Sequence, residues 1–316
     1  MKTKSFTLIE LLVVIVIIGI LAGVITLSVS SNIAKAQDTK ISASILSLNK
    51  ILKTESILSF PIEATPCNLK DSCSNLKSKI DIPKIEDDIY YVTSASGNYF
   101  ALFAKKKSDP YLGFKIDSNE ESVFEATVDS RDNNSYRVVR IGNQIWTAEN
   151  SKYLPSVVGP ATVSETVPYY YIYDYDGTDV TTAKAQANYK TYGVLYNWKA
   201  ATTACPIGWH LPSDNEYKTL EKYLGMTEAD ANATDWRYSG DVGTKLKDGG
   251  SSNFNALMAG LCINGSFYYI SYTTTLWASD PSSTSAWRRD SDLGLTAVNR
   301  GTDLKVNGFS VRCIID

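Results

Sequence analysis

A single acidic residue at the edge of a long apolar segment is the feature that most constrains this chain. Glu10 is followed by residues 11–34, which contain no charged side chain and exceed the roughly 20 residues that a helix needs to span a bilayer. Lys2 and Lys4 precede the segment, and positive charge marks the cytoplasmic end of such helices. An acidic group entering the membrane costs about 2.5–3.5 kcal/mol and is usually paired. The sequence therefore predicts a transmembrane helix, an outward-facing remainder and a partner for Glu10.

The apolar segment does not end as a secretory signal peptide does. In a signal peptide, about 7–15 apolar residues lead to a cleavage site of small residues. Here apolar residues continue at helical spacing, at Ile41, Ile45, Leu48, Ile51 and Leu52. This pattern predicts an amphipathic extension of the same helix, ending near Phe60 because Pro61 disfavours helical backbone in the residue before it. A plain signal-anchor helix is the alternative, but it does not explain Glu10.

Residues 5–14 read SFTLIELLVV and resemble the N-terminal signature of type IV pilins and the related secretion pseudopilins. In that family a prepilin peptidase removes a short basic leader, N-methylates the new amino terminus and leaves a glutamate as the fifth mature residue. The resemblance implies a leader of residues 1–5, cleavage between Ser5 and Phe6, and Glu10 as that glutamate. The residue before the cut is usually glycine, and Ser5 departs from this pattern.

The resemblance also implies how subunits assemble. Glu10 would pair with the amino terminus of Phe6 on an identical neighbouring subunit, and a buried carboxylate that is paired in one register also sets that register. Gly19 and Gly23 form a G-x-x-x-G pair, which lets helices approach closely and lowers helix propensity locally. The expected partners are identical subunits, the prepilin peptidase, the pilus assembly machinery and, before assembly, the membrane.

Strand-like runs follow the helix. Residues 89–93, 99–104 and 111–116 are rich in aromatic and β-branched side chains and are separated by turn residues, which predicts a small antiparallel sheet packed on the lower helix. We expect a pilin helix over residues 6–60, with a membrane or filament core over 8–34, and a sheet domain over 61–130. Polar residues 117–121 are interpreted as a turn and residues 129–135 as an interdomain linker.

Beyond Tyr136 the composition shifts toward aromatic residues and glycine. Five segments resemble, in order, the FISUMP domain of bacterial surface and secreted proteins: 138–150 (VVRIGNQIWTAEN), 192–201 (YGVLYNWKAA), 205–213 (CPIGWHLPS), 243–247 (GTKLK) and 308–313 (GFSVRC). That family is similar to C-type-lectin-like and formylglycine-generating-enzyme-like folds. The resemblance implies a mixed α/β domain over residues 136–316, and the whole chain is expected to be α+β.

The five cysteines lie on the outward side of the predicted membrane helix, where disulfides are permitted. Cys67 and Cys73 flank a short loop and predict a local disulfide, because a metal site would need further Cys or His ligands nearby. The FISUMP resemblance implies that Cys205 pairs with Cys313. Cys262 is left over, either as a buried thiol, which its apolar surroundings favour, or as a reactive or intermolecular one.

No residue pattern predicts catalysis, a cofactor or a metal. His210 is the only histidine, and its place between Trp209 and Leu211 favours packing, while Ser213 and Glu216 predict a capping box for a helix over residues 214–224. Neither a glycine-rich phosphate loop nor H-E-x-x-H is present. The carboxylates of residues 174–179 hint at calcium but lack the EF-hand pattern, so a solvated turn is favoured.

Composition and aromatic clusters complete the prediction. A net charge of −3 and a pI of about 5.4 predict no nucleic-acid partner. Tyrosine-rich residues 169–173 and 267–272 fit strand interiors or an unknown surface ligand equally well.

The expected function is a structural, non-enzymatic type IV pilus subunit that polymerises through its helix and displays the FISUMP domain. It would be a precursor in the inner membrane and then an extracellular filament. A type II secretion pseudopilin and a minor tip adhesin are the alternatives.

Overall fold

The computed structural model describes residues 8–55, 60–62, 67–93, 100–120 and 122–315, and within the first helix it describes side chains from Ser30 to Thr54. The chain divides into two compact units, residues 1–124 and 125–316. Antiparallel sheets and an N-terminal helix make the chain α+β, as predicted.

Unit 1 is a long helix with a small antiparallel sheet. Strands β1 to β4 pair in chain order, which confirms the predicted strand runs. The elements are α1 Leu8–Glu55, β1 Cys67–Asn68, α2 Ser74–Lys79, β2 Ile89–Thr93, β3 Phe100–Lys105 and β4 Gly113–Asp117. Asp117 accepts from the backbone N–H groups of Asn119 and Glu120, which forms the predicted turn. The turn predicted at residues 96–98 lies outside the described residues, and the predicted end of the helix near Phe60 lies beside residues 56–59, which are also outside them.

The lower part of α1 packs on this sheet through one face. Ile41, Ile45, Leu48 and Leu52 are buried, and their spacing of three or four residues places them on the same side of the helix. They join Phe100, Leu102 and Ile116 of the sheet in one apolar core. The amphipathic extension predicted from the sequence is confirmed. Among the described residues no helix is long and apolar enough to cross a membrane. For most of the predicted membrane span, residues 11–34, the side chains are not among those described.

Two further contacts fix the loops of unit 1. Asp38 of α1 is buried and accepts hydrogen bonds from the backbone N–H of Lys107, at 2.5 Å, and from the hydroxyl of Ser108. A buried carboxylate is tolerated when it is hydrogen-bonded in this way, so Asp38 ties the β3–β4 loop to the helix. Cys67 and Cys73 form the predicted disulfide, with a Cα–Cα distance of 5.1 Å.

Unit 2 contains the remaining elements. Strands β5, β6, β7 and β16 pair in that order, β8 pairs with β9, and six strands form a sheet of order β10-β15-β14-β13-β11-β12. The bounds are β5 Phe124–Val128, β6 Ser135–Ile141, β7 Gln144–Thr147, β8 Tyr170–Tyr171, α3 Val180–Ala185, α4 Ala187–Tyr192, β9 Leu195–Tyr196, α5 Trp198–Ala201, α6 Asp214–Tyr223, α7 Glu228–Asn232, β10 Asp235–Arg237, α8 Val242–Leu246, β11 Ala259–Ile263, β12 Ser266–Ile270, β13 Thr273–Ser282, β14 Ser285–Asp292, β15 Val298–Leu304 and β16 Ile314–Ile315.

The interpretation of residues 129–135 as an interdomain linker is wrong. They form the turn between β5 and β6, which pair antiparallel. Asp129 is buried, and its carbonyl accepts from the N–H of Asn133 while its N–H donates to the carbonyl of Asn134. Arg131 binds the Asp129 carboxylate at 2.6 Å. Asp, Asn and Ser are turn residues as well as linker residues, so composition alone does not separate the two.

The six-stranded sheet has two different faces. Its rear face, defined by Leu276, Ala278 and Val298, packs in a core with Tyr217 and Leu220 of α6. Its front face is defined by Trp236, Asn299, Asp290 and Thr275, which lie directly opposite one another on β10, β15, β14 and β13. Side chains alternate between faces along each strand, so neighbouring residues of β14 serve opposite sides of the sheet.

The last strand region closes the domain as the resemblance implies. Cys313 is joined to Cys205 by a disulfide with a Cα–Cα distance of 5.6 Å. Arg312 beside it is fully buried, and its guanidinium donates to the side-chain oxygen of Asn150, at 2.7 Å, and to the carbonyls of Phe254 and Asn255. Burial lowers the pKa of Arg312 to about 10. This cation is thus held by uncharged oxygens that satisfy its donors.

Candidate functional site

The predicted processing and assembly residues belong to the amino-terminal end of α1. Glu10, Gly19 and Gly23 fall within the helix Leu8–Glu55, and Gly19 and Gly23 are four residues apart, which places them on one helical face. Ser5 and Phe6 lie outside the described residues, and the Glu10 side chain does too. The cleavage site and the Glu10 pairing therefore stay predictions.

His210 is tied to the start of α6. Its Nε2 lies 2.8 Å from Glu216 Oε1. The histidine side chain is 41% exposed, so the ring does not pack in the interior, contrary to the expectation from the sequence. Ser213 caps α6 and forms the predicted capping box with Glu216. Burial opposes ionisation of Glu216, but hydrogen bonds from the Ser213 backbone and from His210 outweigh it and lower the Glu216 pKa. The pair fixes the helix start.

A cluster of buried ions supports the rear face of the sheet. Glu221 of α6 accepts from Arg237 at 2.7 and 2.8 Å and from Arg289 Nε at 2.7 Å. Asp214 forms a bidentate ion pair with Arg300, with a hydrogen bond of 2.8 Å to each carboxylate oxygen, and lies 2.9 Å from Arg289. Bidentate guanidinium–carboxylate pairs are strong and geometrically specific. The cluster joins α6 to β10, β14 and β15.

The pKa of Asp214 reflects this cluster. Burial by itself would raise it, but the hydrogen bonds from Arg300 and the charge of Arg289 outweigh burial and hold the Asp214 pKa well below its usual range. Asp214 therefore stays ionised throughout the ordinary pH range. It acts as a structural anion rather than as a group that exchanges protons.

The front face carries a second set of polar residues centred on Arg288. Its Nε lies 3.1 Å from Asp303 Oδ2, and its Nη1 contacts Asp290 and, at 3.3 Å, Asn299 Oδ1. Asp290 also accepts from the Thr275 hydroxyl at 2.9 Å. Arg288 is thus shared by two carboxylates. Arg288, Asp290, Asp303 and Thr275 line, with other residues, an open cavity of about 370 Å³.

Aromatic side chains border this cavity. Trp236 lies at the β10 side, and Tyr269 and Tyr272 at the opposite side, where they are 59% and 67% exposed. Asp292 lies between Arg288 and the tyrosines and accepts from the Thr273 hydroxyl at 3.2 Å. The apolar residues Leu261, Ile263 and Phe309 complete the lining. We call the whole set the front-face cavity: Trp236, Leu261, Ile263, Tyr269, Tyr272, Thr273, Thr275, Arg288, Asp290, Asp292, Asp303 and Phe309.

The backbone around Tyr269 is strained. Tyr269 and Ser271 have φ values of 61° and 65°, a region that large side chains rarely adopt. Gly260 on the paired strand β11 also has a positive φ, and a Cβ there would lie 2.6 Å from the Tyr268 carbonyl oxygen. A glycine is required at this close approach. Strain of this kind is concentrated at functional sites.

The two tyrosine-rich segments, residues 169–173 and 267–272, differ in their exposure to solvent. In the first, Tyr170 and Tyr171 are buried in β8. In the second, Tyr268, Tyr269 and Tyr272 are exposed. The structure thus places the first segment in a strand interior and the second at the surface, and a surface ligand for the second segment stays a prediction.

The remaining candidates from the sequence are the Cys262 thiol and the carboxylates of residues 174–179. Cys262 is a buried free thiol, and burial raises its pKa to about 12, so the thiolate that would react is scarce at neutral pH. Asp174 and Asp176 are exposed, and Asp179 caps α3 by accepting from the Thr182 N–H at 2.6 Å. Within the described parts of the chain, no group of three or more His, Cys, Asp or Glu residues could hold a metal ion.

Sequence reasoning missed Trp236, Arg288, Asp290 and Asp292. A signal for three of them is visible in β14, where residues 287–292 read WRRDSD. Alternation places Arg288, Asp290 and Asp292 on one face and Arg289 on the other. A strand charged on both faces lacks the alternating hydrophobic pattern of a half-buried strand, so this segment could not be predicted as part of a sheet.

Comparisons with known proteins agree with this architecture at both ends of the chain. Residues 1–26 match the prokaryotic N-terminal methylation motif, the signature of type IV pilins, so the chain carries a pilin-type amino terminus that is a substrate for prepilin peptidase and N-methylation. Residues 139–314, more than half of the chain, match the Fibrobacter succinogenes major domain. The chain belongs to this domain family, and the FISUMP resemblance is consistent with it.

No curated protein and no solved structure matches the chain. The expected similarity of unit 2 to C-type-lectin-like and formylglycine-generating-enzyme-like folds is therefore untested and stays a prediction.

Proposed function

We propose that this protein is a structural subunit of a type IV pilus, which polymerises through its amino-terminal helix and presents unit 2 on the filament surface. The observation that carries the proposal is the joining of a methylation motif over residues 1–26 to a separately folded family domain over residues 139–314. The motif supports the broader class of pilin-like and pseudopilin subunits.

The geometry of α1 suits this role. The helix contains 48 residues, and at 1.5 Å per residue it is roughly 70 Å long. A hydrocarbon core is about 30 Å thick, so one continuous helix is long enough for a membrane or filament segment followed by a soluble segment. The packing of unit 1 uses residues 38–52 of this helix, toward its carboxyl end. A subunit of this design is anchored before assembly and exposes its folded units to the outside.

The first experiment shears surface filaments from cells and determines the abundance and the N-terminal peptide of this chain in them. Abundant protein beginning with N-methylated Phe6 is the expected result. Protein that remains in the cell envelope while filaments form without it would overturn the pilus assignment and favour a secretion pseudopilin. A trace amount at filament ends would favour a tip-located subunit.

The Glu10→Val variant tests the assembly step. It should enter the membrane, because an apolar residue is easier to insert than glutamate, but its filaments should be few or out of register, because the proposed pair with Phe6 is lost. Glu86→Val is the matched control, since Glu86 is an exposed glutamate of unit 1 paired with Lys40. Normal filaments from Glu10→Val would contradict the pairing.

A further inference from the structure

We propose that the front-face cavity of unit 2 is a binding site for a neutral saccharide of one or two sugar rings. The inference goes beyond the pilus assignment and does not depend on filament assembly. The cavity of about 370 Å³ falls within the range of small-ligand pockets, about 300–1,000 Å³. Its residues come from all six strands of the sheet, from the β12–β13 turn and, at Phe309, from the segment after β15, so the fold brings them together from separate parts of the sequence.

The charges of the cavity decide the class of ligand. Three carboxylates, Asp290, Asp292 and Asp303, face one guanidinium, so an anionic ligand would be repelled. A cationic ligand would compete with Arg288, which lies at the centre and already pairs with Asp290 and Asp303. A wholly apolar ligand would remove water from these charged groups without offering them hydrogen bonds in return, which is costly. A neutral ligand that both donates and accepts hydrogen bonds meets none of these penalties.

The hydrogen-bonding groups match hydroxyl groups in particular. Carboxylate oxygens of Asp292 and Asp303 accept, and the Tyr269 and Tyr272 hydroxyls both donate and accept. Thr273 and Thr275 donate their hydroxyl protons to Asp292 and Asp290, which leaves their oxygens as acceptors facing the cavity. A sugar ring carries several hydroxyl groups, each of which can donate one hydrogen bond and accept others. One such ring can therefore pair with donors and acceptors that lie side by side in the cavity.

The aromatic border supplies the apolar part of the contact. Trp236 on one side and Tyr272 on the other present rigid rings with a polar tip, and such side chains bury area at a low cost in conformational entropy. Sugar rings carry C–H faces that can lie on these rings while the hydroxyls reach the polar floor. The strained backbone at Tyr269 holds one of the bordering rings at this edge, which fits a site whose shape is preformed.

The test uses the full-length chain purified in detergent and an array of neutral oligosaccharides, with anionic glycans and a basic peptide as counter-probes. Binding to neutral saccharides that Tyr272→Ala weakens about tenfold or more is the expected result. Tyr272 is largely exposed, so this variant should fold. Trp236→Ala on the opposite side is the second variant and should weaken the same saccharides.

Tyr238→Ala is the matched control, because Tyr238 is an exposed tyrosine beside β10 that does not line the cavity. It should bind the neutral saccharides as the unaltered protein does. Binding of no neutral saccharide, preference for the anionic glycans or the basic peptide, or equal loss of binding in Tyr238→Ala would each overturn the proposal.

Discussion

The buried glutamate of α6 offers the sharpest test of how unit 2 is held together. Glu221 is 1% exposed and contacts two arginines that are also buried, Arg237 and Arg289. Glu221→Gln keeps the size of the side chain but removes its charge. Arg289 keeps an ion pair with Asp214, whereas Glu221 is the only carboxylate among the described residues that pairs with Arg237. The change therefore leaves a buried guanidinium without its carboxylate.

The expected cost follows from that unpaired charge. Removing one partner of a buried ion pair typically lowers stability by about 3–5 kcal/mol, and for a domain of 150–250 residues each kcal/mol corresponds to a midpoint shift of about 2–4 °C. We expect Glu221→Gln to lower the thermal midpoint of unit 2 by about 6–20 °C. Tryptophan fluorescence is the right assay, because all six tryptophans lie between Trp146 and Trp287, within unit 2.

Two further variants separate charge from packing. Glu228→Gln is the matched control: Glu228 pairs with Lys222 at 2.9 Å, but its side chain is 70% exposed, so its loss should have little effect on stability. Replacing Glu221 and Arg237 together with methionine removes both charges and should cost less than Glu221→Gln alone. If Glu221→Gln lowers the midpoint no more than Glu228→Gln does, the ion cluster does not stabilise unit 2 and the reasoning fails.

Three other expectations concern unit 2. Replacing Cys205 and Cys313 with serine opens a loop of 108 residues and should lower the free energy of unfolding in urea by about 4–5 kcal/mol; an unchanged urea midpoint would contradict this. The Cys262 thiol, with its raised pKa of about 12, should react with a maleimide at pH 8 only after unfolding, and rapid labelling of the folded protein would be inconsistent with its burial. The lowered pKa of Asp214 should stabilise the fold fully above the unfolded value of about 3.9 and progressively less as pH falls toward the folded pKa. The stability difference between the unaltered protein and Asp214→Asn should then be constant from pH 5 to 8 and narrow below pH 4, and a constant difference down to pH 2 would refute the assignment.

Local signals in the sequence predicted local structure well. The capping box of Ser213 and Glu216 is present, because its two hydrogen bonds join residues only three apart. The buried face of α1 through Ile41 and Leu48 follows from helical periodicity alone. Where several backbone conformations share one composition, prediction failed: the polar turn at residues 129–135 looked like a linker because Asp, Asn and Ser serve both.

Long-range pairings account for what the sequence did not predict. Asp214 pairs with Arg300 across 86 residues of sequence, and Glu221 with Arg289 across 68. Asp214 carries no local mark of its role, since an acidic residue in the first turn of a helix is also an ordinary response to the helix dipole. The front-face cavity has the same origin, because Thr275 lies beside Asp290, and Trp236 beside Asn299 on the next strand, only once the strand order is known.

Strand β14 shows how the two faces of the sheet depend on each other. Arg288 and Arg289 are adjacent in the chain but point to opposite faces, and each pairs with acidic residues on its own side. Hydrophobic burial cannot set the register of a strand that is charged on both faces. Specific ion pairs can, because a slip of one residue would move one arginine into the place of the other and bring Trp287 or Asp290 into the remaining place, so that one set of carboxylates would lose its arginine. The buried cluster behind the sheet therefore fixes the backbone from which the front-face cavity is built, and the open polar face in front of it costs the fold little.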